Sequence, residues 1–244
     1  MDKQLISLPK EIKFCKTCVV SNQRPRISFD KDGVCDACNY AKQKNLIIDW
    51  DKREKELIKL LNKHRSKNGS YDVLVPGSGG KDSSYVANLL KRKYDMNPLC
   101  ITCAPFSYTD IGLTNLHNFI DSGFENIVYY PSGDIYRKLA RAAFEFVGDP
   151  FLPFIYSQKA RAFRVAKQYG IKLIFYGENG EVEYGGSKDK IAVPYEPISD
   201  WTKKYFKGIG FKDLLKISIR NGFIDKNSET EALISQYTTP SIKE

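Results

Sequence analysis

From Tyr71 onward the sequence alternates short apolar runs with stretches of helical period, and this alternation constrains the fold more than any other feature. The apolar runs predict four strands, at residues 71–75, 99–104, 126–130 and 172–177. Helical patterns separate these runs, which is typical of parallel strands joined by helices. The first run is almost unbroken in its apolar character, as expected of a strand covered on both faces. We therefore predict an α/β fold with a parallel sheet.

A loop of small residues, PGSGGKDSS (76–84), follows the first predicted strand and leads into a helix predicted over 81–94. It is not a Walker A loop, because Val75 stands where the first glycine belongs and Asp82 stands where Ser or Thr should follow the lysine. A dinucleotide-binding GxGxxG starting at Gly77 fails at the same aspartate. Small residues still let the backbone wrap a phosphate, and a helix N-terminus adds positive potential. The loop therefore predicts phosphate binding of another kind.

The loop resembles the PP-loop of ATP pyrophosphatases, whose signature is SGGxDS. The matching residues, which we expect to bind ATP, are Ser78, Gly79, Gly80, Lys81, Asp82 and Ser83. The serine hydroxyls can donate to phosphate oxygens, Lys81 adds a positive charge, and Asp82 suits a bridging Mg²⁺. The resemblance implies that ATP is cut between its α and β phosphates, with AMP transferred to a carbonyl-type oxygen and pyrophosphate released. It also implies an adenine nucleotide alpha hydrolase-like domain.

Four cysteines near the start, Cys15, Cys18, Cys35 and Cys38, have the spacing C-x2-C-x16-C-x2-C. Two such pairs at this separation are typical of a zinc ribbon, a closed tetrahedral site with a structural role. An iron–sulfur cluster is the alternative, since it also uses four cysteines. Zinc is favoured, and metal binding would supply stability that so short a segment cannot obtain from a core. A third pair, Cys100 and Cys103, is interpreted as core packing.

Charge and length suggest how the chain is organised. The net charge is +9, and residues 1–70 carry 16 Lys/Arg against 9 Asp/Glu, so most of the excess lies there. No run of about 18 apolar residues exists and the start has no apolar signal region, so we expect a cytoplasmic protein without a membrane span. The predicted parts are a four-cysteine zinc-ribbon-like module (1–45), a linking helix (46–70), a PP-loop domain (71–197) and a helical C-terminal segment (198–244).

Beyond the PP-loop, the chain resembles the N-acetyl sugar amidotransferases of bacterial surface-polysaccharide (lipopolysaccharide, O-antigen) and pseudaminic acid synthesis. The likeness rests on FCKTCVVSNQRPRISFDKDGVCDAC (14–38), APFSYTDIG (104–112) and FIYSQKARAFRVAKQYGIKLIFYGENGEVEYGG (154–186). It implies ATP-dependent conversion of an acetamido group of an N-acetyl or nucleotide sugar into an acetamidino group. The amide oxygen would be adenylated, and ammonia would then displace AMP.

The same resemblance implies roles for individual residues. The expected catalytic residues are Lys81, Asp82 and Glu178, and Gly177 joins the glycine loop in binding ATP. The expected sugar contacts are Tyr108, Thr109, Asn179, Glu183 and Tyr184. The expected cofactors are ATP, Mg²⁺ and a structural Zn²⁺.

Ammonia requires a source that this chain does not offer. Its histidines are His64 and His117, and no cysteine follows Met1 directly, so there is no sign of an N-terminal-nucleophile glutaminase. The family likeness implies a separate glutaminase subunit as partner, with a cyclase-like subunit as a further candidate that carries ammonia.

Two other functions remain open at this point. A PP-loop tRNA-modifying enzyme, of the thiolase or lysidine type, would use the same adenylation chemistry on RNA, and the basic segment 1–70 and the four-cysteine module fit it. An inactive scaffold that binds a partner through its zinc ribbon is the non-enzymatic alternative. It is motivated by the usually longer C-terminal portion of the amidotransferases.

Overall fold

A computed structural model gives the arrangement of the chain. It describes residues 9–24, 26–178, 193, 195–196, 198, 201–226, 232 and 236–240, with the side chains of 203 and 204 excepted. The chain forms two compact units. The smaller comprises residues 1–56 and 178–196, and the larger comprises residues 57–177 and 197–244. The four-part domain division expected above stays a prediction.

The larger unit is built on a parallel sheet, which confirms the predicted α/β class. Strands β1 (Val73–Pro76), β2 (Pro98–Cys103) and β3 (Glu125–Tyr129) lie in the order β1-β2-β3. The register pairs Val73 with Pro98 at the start of β1. All three strands therefore end at the same edge of the sheet, where ligands of open α/β sheets bind.

The predicted fourth strand, 172–177, lies beside the free edge of β1 but is reduced to one parallel bridge between Leu74 and Ile174. The Leu74 N–H donates to the Leu173 carbonyl and the Phe175 N–H donates to the Leu74 carbonyl, each at 2.9 Å. A single residue of β1 makes both bonds, so the pairing is too short to form a ladder. The strand is nevertheless in the predicted place and direction, and it brings Gly177 to the carboxyl edge of the sheet.

Eight α-helices are assigned among the described residues. They are α1 (Asp36–Leu46), α2 (Trp50–His64), α3 (Lys81–Asn88), α4 (Asp110–Asp121), α5 (Gly133–Val147), α6 (Leu152–Gln168), α7 (Trp201–Lys204) and α8 (Phe211–Arg220). Helix α3 continues into a π-helical turn, Leu89–Lys93. None of the described helices is long and apolar enough to cross a membrane. Helices α2 to α6 and α8 match patterns read from the sequence.

Both faces of the sheet are covered, as the unbroken apolar character of β1 predicts. Val73 and Val75 pack on one side with Leu61 of α2, Leu90 and Phe119. The intervening side chain of β1, that of Leu74, packs on the other side against α6. Each fully buried side chain of this kind stabilises the fold by about 1.5–3 kcal/mol.

The smaller unit is organised around its cysteines. Antiparallel bridges join Phe14 to Ser21 and Phe29 to Cys35, and each closes a short turn. Helix α1 begins directly after Cys35, whose sulfur accepts the Cys38 N–H as an N-cap. The sequence did not predict this helix, because the segment DACNYAKQKNL has no apolar stripe; Asp36 is its one buried residue.

Candidate functional site

The glycine loop leaves the sheet at its carboxyl edge and is tied to the neighbouring strand. The Gly77 N–H donates to the Ile101 carbonyl at 2.9 Å, and the buried Thr102 hydroxyl donates to the Gly77 carbonyl at 2.7 Å. The Thr102 hydroxyl also accepts a hydrogen bond from the Asn126 side-chain amide at 3.0 Å. Thr102 and Asn126 therefore position the start of the loop. Sequence reasoning missed both, although a polar residue inside an otherwise apolar strand was a usable signal.

Gly79 makes the close turn that the loop requires. Its φ is +82°, in the left-handed region, and a Cβ atom there would lie 2.6 Å from the Asn115 carbonyl oxygen of α4. Both the backbone conformation and the contact therefore demand glycine. The loop lies directly against α4, which fixes its path.

The N-terminus of α3 is left open by its own sequence. Gly80 occupies the N-cap position with extended backbone and offers no side chain to accept from the first turn. The Ser83 hydroxyl donates back to the Gly80 carbonyl at 3.3 Å. Because helix N-termini carry unsatisfied N–H donors and positive potential, this end of α3 suits an anionic ligand. The geometry suits a phosphate group.

Lys81 and Asp82 lie side by side in the first turn of α3. The Lys81 ammonium is 2.6 Å and 2.8 Å from the two carboxylate oxygens of Asp82. The Lys81 side chain is 88% exposed and that of Asp82 is 45% exposed, so the pair contributes little to stability. Water screens both groups, and a phosphate or a divalent cation can replace either partner without loss of a buried contact.

Gly177, from the end of the fourth strand, reaches the same helix turn. A Cβ atom at Gly177 would lie 2.8 Å from the carbonyl carbon of Asp82 and 2.9 Å from the nitrogen of Ser83. The structure therefore brings Gly177 together with the predicted glycine loop. Glu178 follows it in the chain and is exposed. The predicted residues Asn179, Glu183 and Tyr184 lie outside the described residues.

Tyr108 and Thr109 lie between β2 and α4. The Thr109 hydroxyl caps α4 by accepting the Gly112 N–H at 3.1 Å, so its observed contact is structural. The Tyr108 hydroxyl is buried and has no hydrogen-bond partner among the described residues. Burial raises the pKa of Tyr108, with smaller contributions from Tyr130 and Cys103, so its hydroxyl stays a donor. Their role as sugar contacts stays a prediction.

The four predicted ligand cysteines converge in the smaller unit. All four sulfurs of Cys15, Cys18, Cys35 and Cys38 lie within 4.8 Å of one another, and those of Cys18 and Cys35 are 3.6 Å apart. Tetrahedral coordination with Zn–S distances of about 2.3 Å places sulfurs about 3.8 Å apart. The donor set and its spacing therefore fit a thiolate-bound metal such as zinc, and the predicted convergence of the four cysteines is confirmed.

Backbone donors surround the sulfur of Cys15. Burial raises the pKa of this thiol, but hydrogen bonds from the N–H groups of Cys35, Thr17 and Cys18 outweigh burial and lower it to about 6. Burial raises the pKa of Cys38, and hydrogen bonds with Cys18 and Cys35 add to the rise. The lowered pKa of Cys15 favours its thiolate form, which is the form that binds a cation.

The third cysteine pair does not form a comparable site. Cys100 is fully buried in the core beside Val75 and Phe119, and Cys103 ends β2. Burial raises the pKa of each thiol to about 12. Both are protonated at neutral pH, in line with the interpretation of this pair as packing residues.

Comparisons with known proteins give weak likenesses. No family model matches the chain. An uncharacterized protein of Methanocaldococcus jannaschii is 31% identical over 88 residues, which span 36% of this chain and 31% of that protein's length. The match thus covers about a third of the relative.

Two solved structures can be superposed over much of the chain. An NH3-dependent NAD synthetase from Campylobacter jejuni covers 81% of this chain and all of its own, at 15% identity and a TM-score of 0.42. A predicted subunit of tRNA methyltransferase from Methanocaldococcus jannaschii covers 70% of this chain and 93% of its own, at 18% identity and a TM-score of 0.29. At these scores neither likeness carries an argument about activity.

Proposed function

We propose that the chain is an ATP-using, AMP-forming enzyme that adenylates an oxygen of its second substrate. The observation that carries this proposal is the cradle at the carboxyl edge of the sheet. There the loop 78–83 leads from β1 into the open N-terminus of α3, and Gly177 closes on the first turn. A cradle of backbone N–H groups at a helix N-terminus suits phosphates.

Individual residues of the cradle would have separate roles in binding ATP and Mg²⁺. The Ser78 and Ser83 hydroxyls would donate to phosphate oxygens, and Lys81 would exchange Asp82 for a phosphate oxygen as its counterion. Asp82 would then be available to Mg²⁺, which prefers carboxylate and phosphate oxygens. When bound, ATP and Mg²⁺ supply the activated phosphorus and neutralise charge on the departing pyrophosphate.

We further propose that the second substrate is an N-acetyl sugar whose acetamido group becomes an acetamidino group. The support is the resemblance of residues 14–38, 104–112 and 154–186 to N-acetyl sugar amidotransferases of surface-polysaccharide synthesis. The amide oxygen bonds to the α-phosphorus as pyrophosphate leaves, and ammonia then adds to the amide carbon as AMP leaves with that oxygen. Glu178 is the proposed catalytic carboxylate.

The remaining roles belong to the same proposal. The proposed sugar contacts are Tyr108, Thr109, Asn179, Glu183 and Tyr184. Ammonia would come from a glutaminase subunit, with a cyclase-like subunit as a candidate carrier.

Mass spectrometry tests the proposal directly. The chain is incubated with nucleotide N-acetyl sugars, ATP, Mg²⁺ and ammonium, and the expected product is lighter by about one mass unit because NH replaces O. AMP and pyrophosphate should form with it. Asp82→Ala should abolish the product. Asp134→Ala is the matched control, since Asp134 also lies in a helix first turn and pairs with a lysine, Lys138, at 2.7 Å.

The outcomes separate the two levels of the proposal. ADP as the only nucleotide product would contradict adenylation. AMP formation without a lighter sugar, on any sugar offered, would contradict the amidotransferase assignment alone.

RNA is the second candidate substrate, and the charge distribution favours it. Residues 1–70 hold an excess of seven positive charges out of the nine of the whole chain. An RNA-modifying enzyme should bind tRNA with an affinity that falls steeply as salt rises, because each phosphate contact releases a counterion. A mobility shift titrated with salt measures this, and tRNA binding that is weak at low salt would contradict the RNA function.

A further inference from the structure

One arginine and three tyrosines interact near the carboxyl ends of β2 and β3. Arg161 contacts Tyr129 directly, and electrostatic interactions link Tyr237 to both of them and Tyr136 to Tyr237. We call Arg161, Tyr129, Tyr136 and Tyr237 the arginine–tyrosine cluster. The Arg161 guanidinium lies over the Tyr129 ring, 3.7 Å from the ring centroid, and donates to the Tyr129 hydroxyl at 2.7 Å. That hydroxyl donates in turn to the Gln236 side-chain oxygen at 3.0 Å. These contacts hold the guanidinium plane in one orientation.

Three polar atoms of the cluster have no hydrogen-bond partner among the described residues. They are Nε of Arg161 and the hydroxyl oxygens of Tyr136 and Tyr237, all buried. Tyr136 is 2% exposed and Tyr237 is 3% exposed. Unsatisfied buried donors are rare because each loses its bonds to water without replacement. The cluster contains three of them, and the oxygens of a bound ligand would satisfy them.

The cluster offers donors and positive charge. No ion pair between Arg161 and a carboxylate is found in the described part of the chain, although its guanidinium remains charged at any physiological pH. Burial raises the pKa of Tyr136, with further contributions from Tyr237 and Cys103. Burial also raises the pKa of Tyr237, Tyr129 adds to the rise, and Arg161 opposes it. The hydroxyls are therefore neutral donors beside a cation.

The cluster meets solvent at the edge of the sheet. Cys103, Tyr129 and Arg161 are each partly exposed. The hydroxyls of Tyr136 and Tyr237 are buried. The Ala104 N–H donates to the Tyr129 carbonyl at 2.9 Å, so β2 and β3 remain paired up to this edge. Strands lie about 4.8 Å apart, which places the end of β3 about 10 Å from the end of β1, where the glycine loop begins.

We propose that the arginine–tyrosine cluster binds an oxyanion, a phosphate or a carboxylate group, of a molecule other than the ATP held by the glycine loop. Arg161 Nε and the hydroxyls of Tyr136 and Tyr237 donate to its oxygens. A guanidinium with adjacent neutral donors matches the charge and the lone pairs of such a group. The proposal goes beyond the proposed function and does not require ATP chemistry, since the site is defined by its own unsatisfied donors.

The distance between the arginine–tyrosine cluster and the glycine loop suggests what an oxyanion site would do. This role, unlike the oxyanion binding itself, rests on the proposed function: a second substrate anchored by its oxyanion at β3 can extend about 10 Å along the edge to the α-phosphate of ATP at the loop. Binding energy from this anchor would orient the reacting group without contacting it. Arg161 and the two tyrosines are positioning residues in this arrangement.

The test measures ion binding and stability together. Inorganic phosphate and acetate are titrated separately into the Lys81→Ala chain, against chloride at matched ionic strength, so that binding at the glycine loop is weakened. Affinity is followed by ligand-observed NMR and stability by thermal unfolding. Binding of phosphate but not acetate identifies a phosphate site, the reverse identifies a carboxylate site, and either supports the proposal. Tyr136→Phe and Tyr237→Phe should each weaken binding about tenfold.

The tyrosine variants also separate a binding role from a structural one. Without ligand they should unfold at the same or a higher temperature than the parent, because they remove an unsatisfied buried hydroxyl. Tyr156→Phe is the matched control: its hydroxyl donates to the Ile209 carbonyl at 2.6 Å, so its loss should lower the unfolding temperature and leave ion affinity unchanged.

Arg161→Gln removes the charge of the cluster and should abolish binding, whereas Arg164→Gln on the same helix should not, since Arg164 donates to the Thr238 carbonyl. The proposal is overturned if neither ion binds the Lys81→Ala chain. It is also overturned if both tyrosine variants lower the unfolding temperature without ligand and keep full ion affinity.

Discussion

The backbone of Asp82 lies so close to Gly177 that it excludes a side chain at position 177. A Cβ atom at Gly177 would lie 2.8 Å from the carbonyl carbon of Asp82, which is closer than Cβ atoms approach non-bonded atoms in proteins, so the backbone would have to shift. The contact joins the end of the fourth strand to the first turn of α3. Through this contact, the fourth strand sets the position of the first turn of α3.

Gly177→Ala should therefore displace the first turn of α3. Overpacking of this kind costs about 1–3 kcal/mol, and we expect that loss in chemical denaturation together with weaker ATP binding. Gly210→Ala is the matched control, because Gly210 also has a negative φ but its Cβ would meet only Asp213, at 3.6 Å. Equal losses in the two variants would contradict crowding as the cause.

Gly79→Ala should be more damaging than a positive φ alone explains. The left-handed conformation costs an L-residue about 1–2 kcal/mol, and the contact with the Asn115 carbonyl adds to it. Gly170→Ala carries the conformational cost by itself, since its φ is +67° and open space surrounds the added atom. Denaturation of both variants measures the difference. If Gly170→Ala is equally destabilised, the packing of the loop against α4 contributes nothing.

Thr102→Val should loosen the start of the glycine loop. It removes the donor to the Gly77 carbonyl and the acceptor for Asn126, and a buried group left without its partner costs about 1–3 kcal/mol. Urea denaturation and ATP affinity should both report the loss. Thr114→Val is the control, because the exposed Thr114 hydroxyl bonds only within its own helix; a loss above about 0.5 kcal/mol there would undermine the comparison.

Removal of metal should unfold the smaller unit around its cysteines. A chelator or Cys35→Ser should reduce bound zinc and make residues 9–46 sensitive to protease, because the buried residues described in this segment are Cys15, Cys35 and Asp36. Acid should act in the same direction, since protons compete with the metal for thiolates. Backbone hydrogen bonds lower the pKa of Cys15 to about 6, so protonating this thiolate needs more acid than protonating a thiol of ordinary pKa.

Metal analysis of the purified chain checks this prediction. Cys103→Ser, outside the four-cysteine group, should keep full zinc content at neutral pH. Protease resistance that survives complete metal removal would show that the unit folds without it. Iron in place of zinc would identify the alternative cluster chemistry instead.

Some elements escaped sequence analysis for identifiable reasons. Helix α1 lacks an apolar stripe, so periodicity had nothing to detect. The segment 172–177 has a strand-like sequence, but it pairs with β1 through one bridge. Its sequence pattern therefore predicted more strand pairing than the structure contains. Sequence analysis could not detect the arginine–tyrosine cluster, because its members come from separate parts of the chain: β3, α5, α6 and the C-terminal segment.

The sequence by itself determined the α/β class, the place of the glycine loop and the grouping of the four N-terminal cysteines. These features depend on the period, spacing and type of residues within short segments, so they can be predicted from local sequence. Only the tertiary structure decided that Gly177 closes on Asp82, that Thr102 holds the loop, and that Arg161 lies over Tyr129. Each of these contacts depends on strand order and helix packing, which are set by burial of the whole core and leave no local pattern.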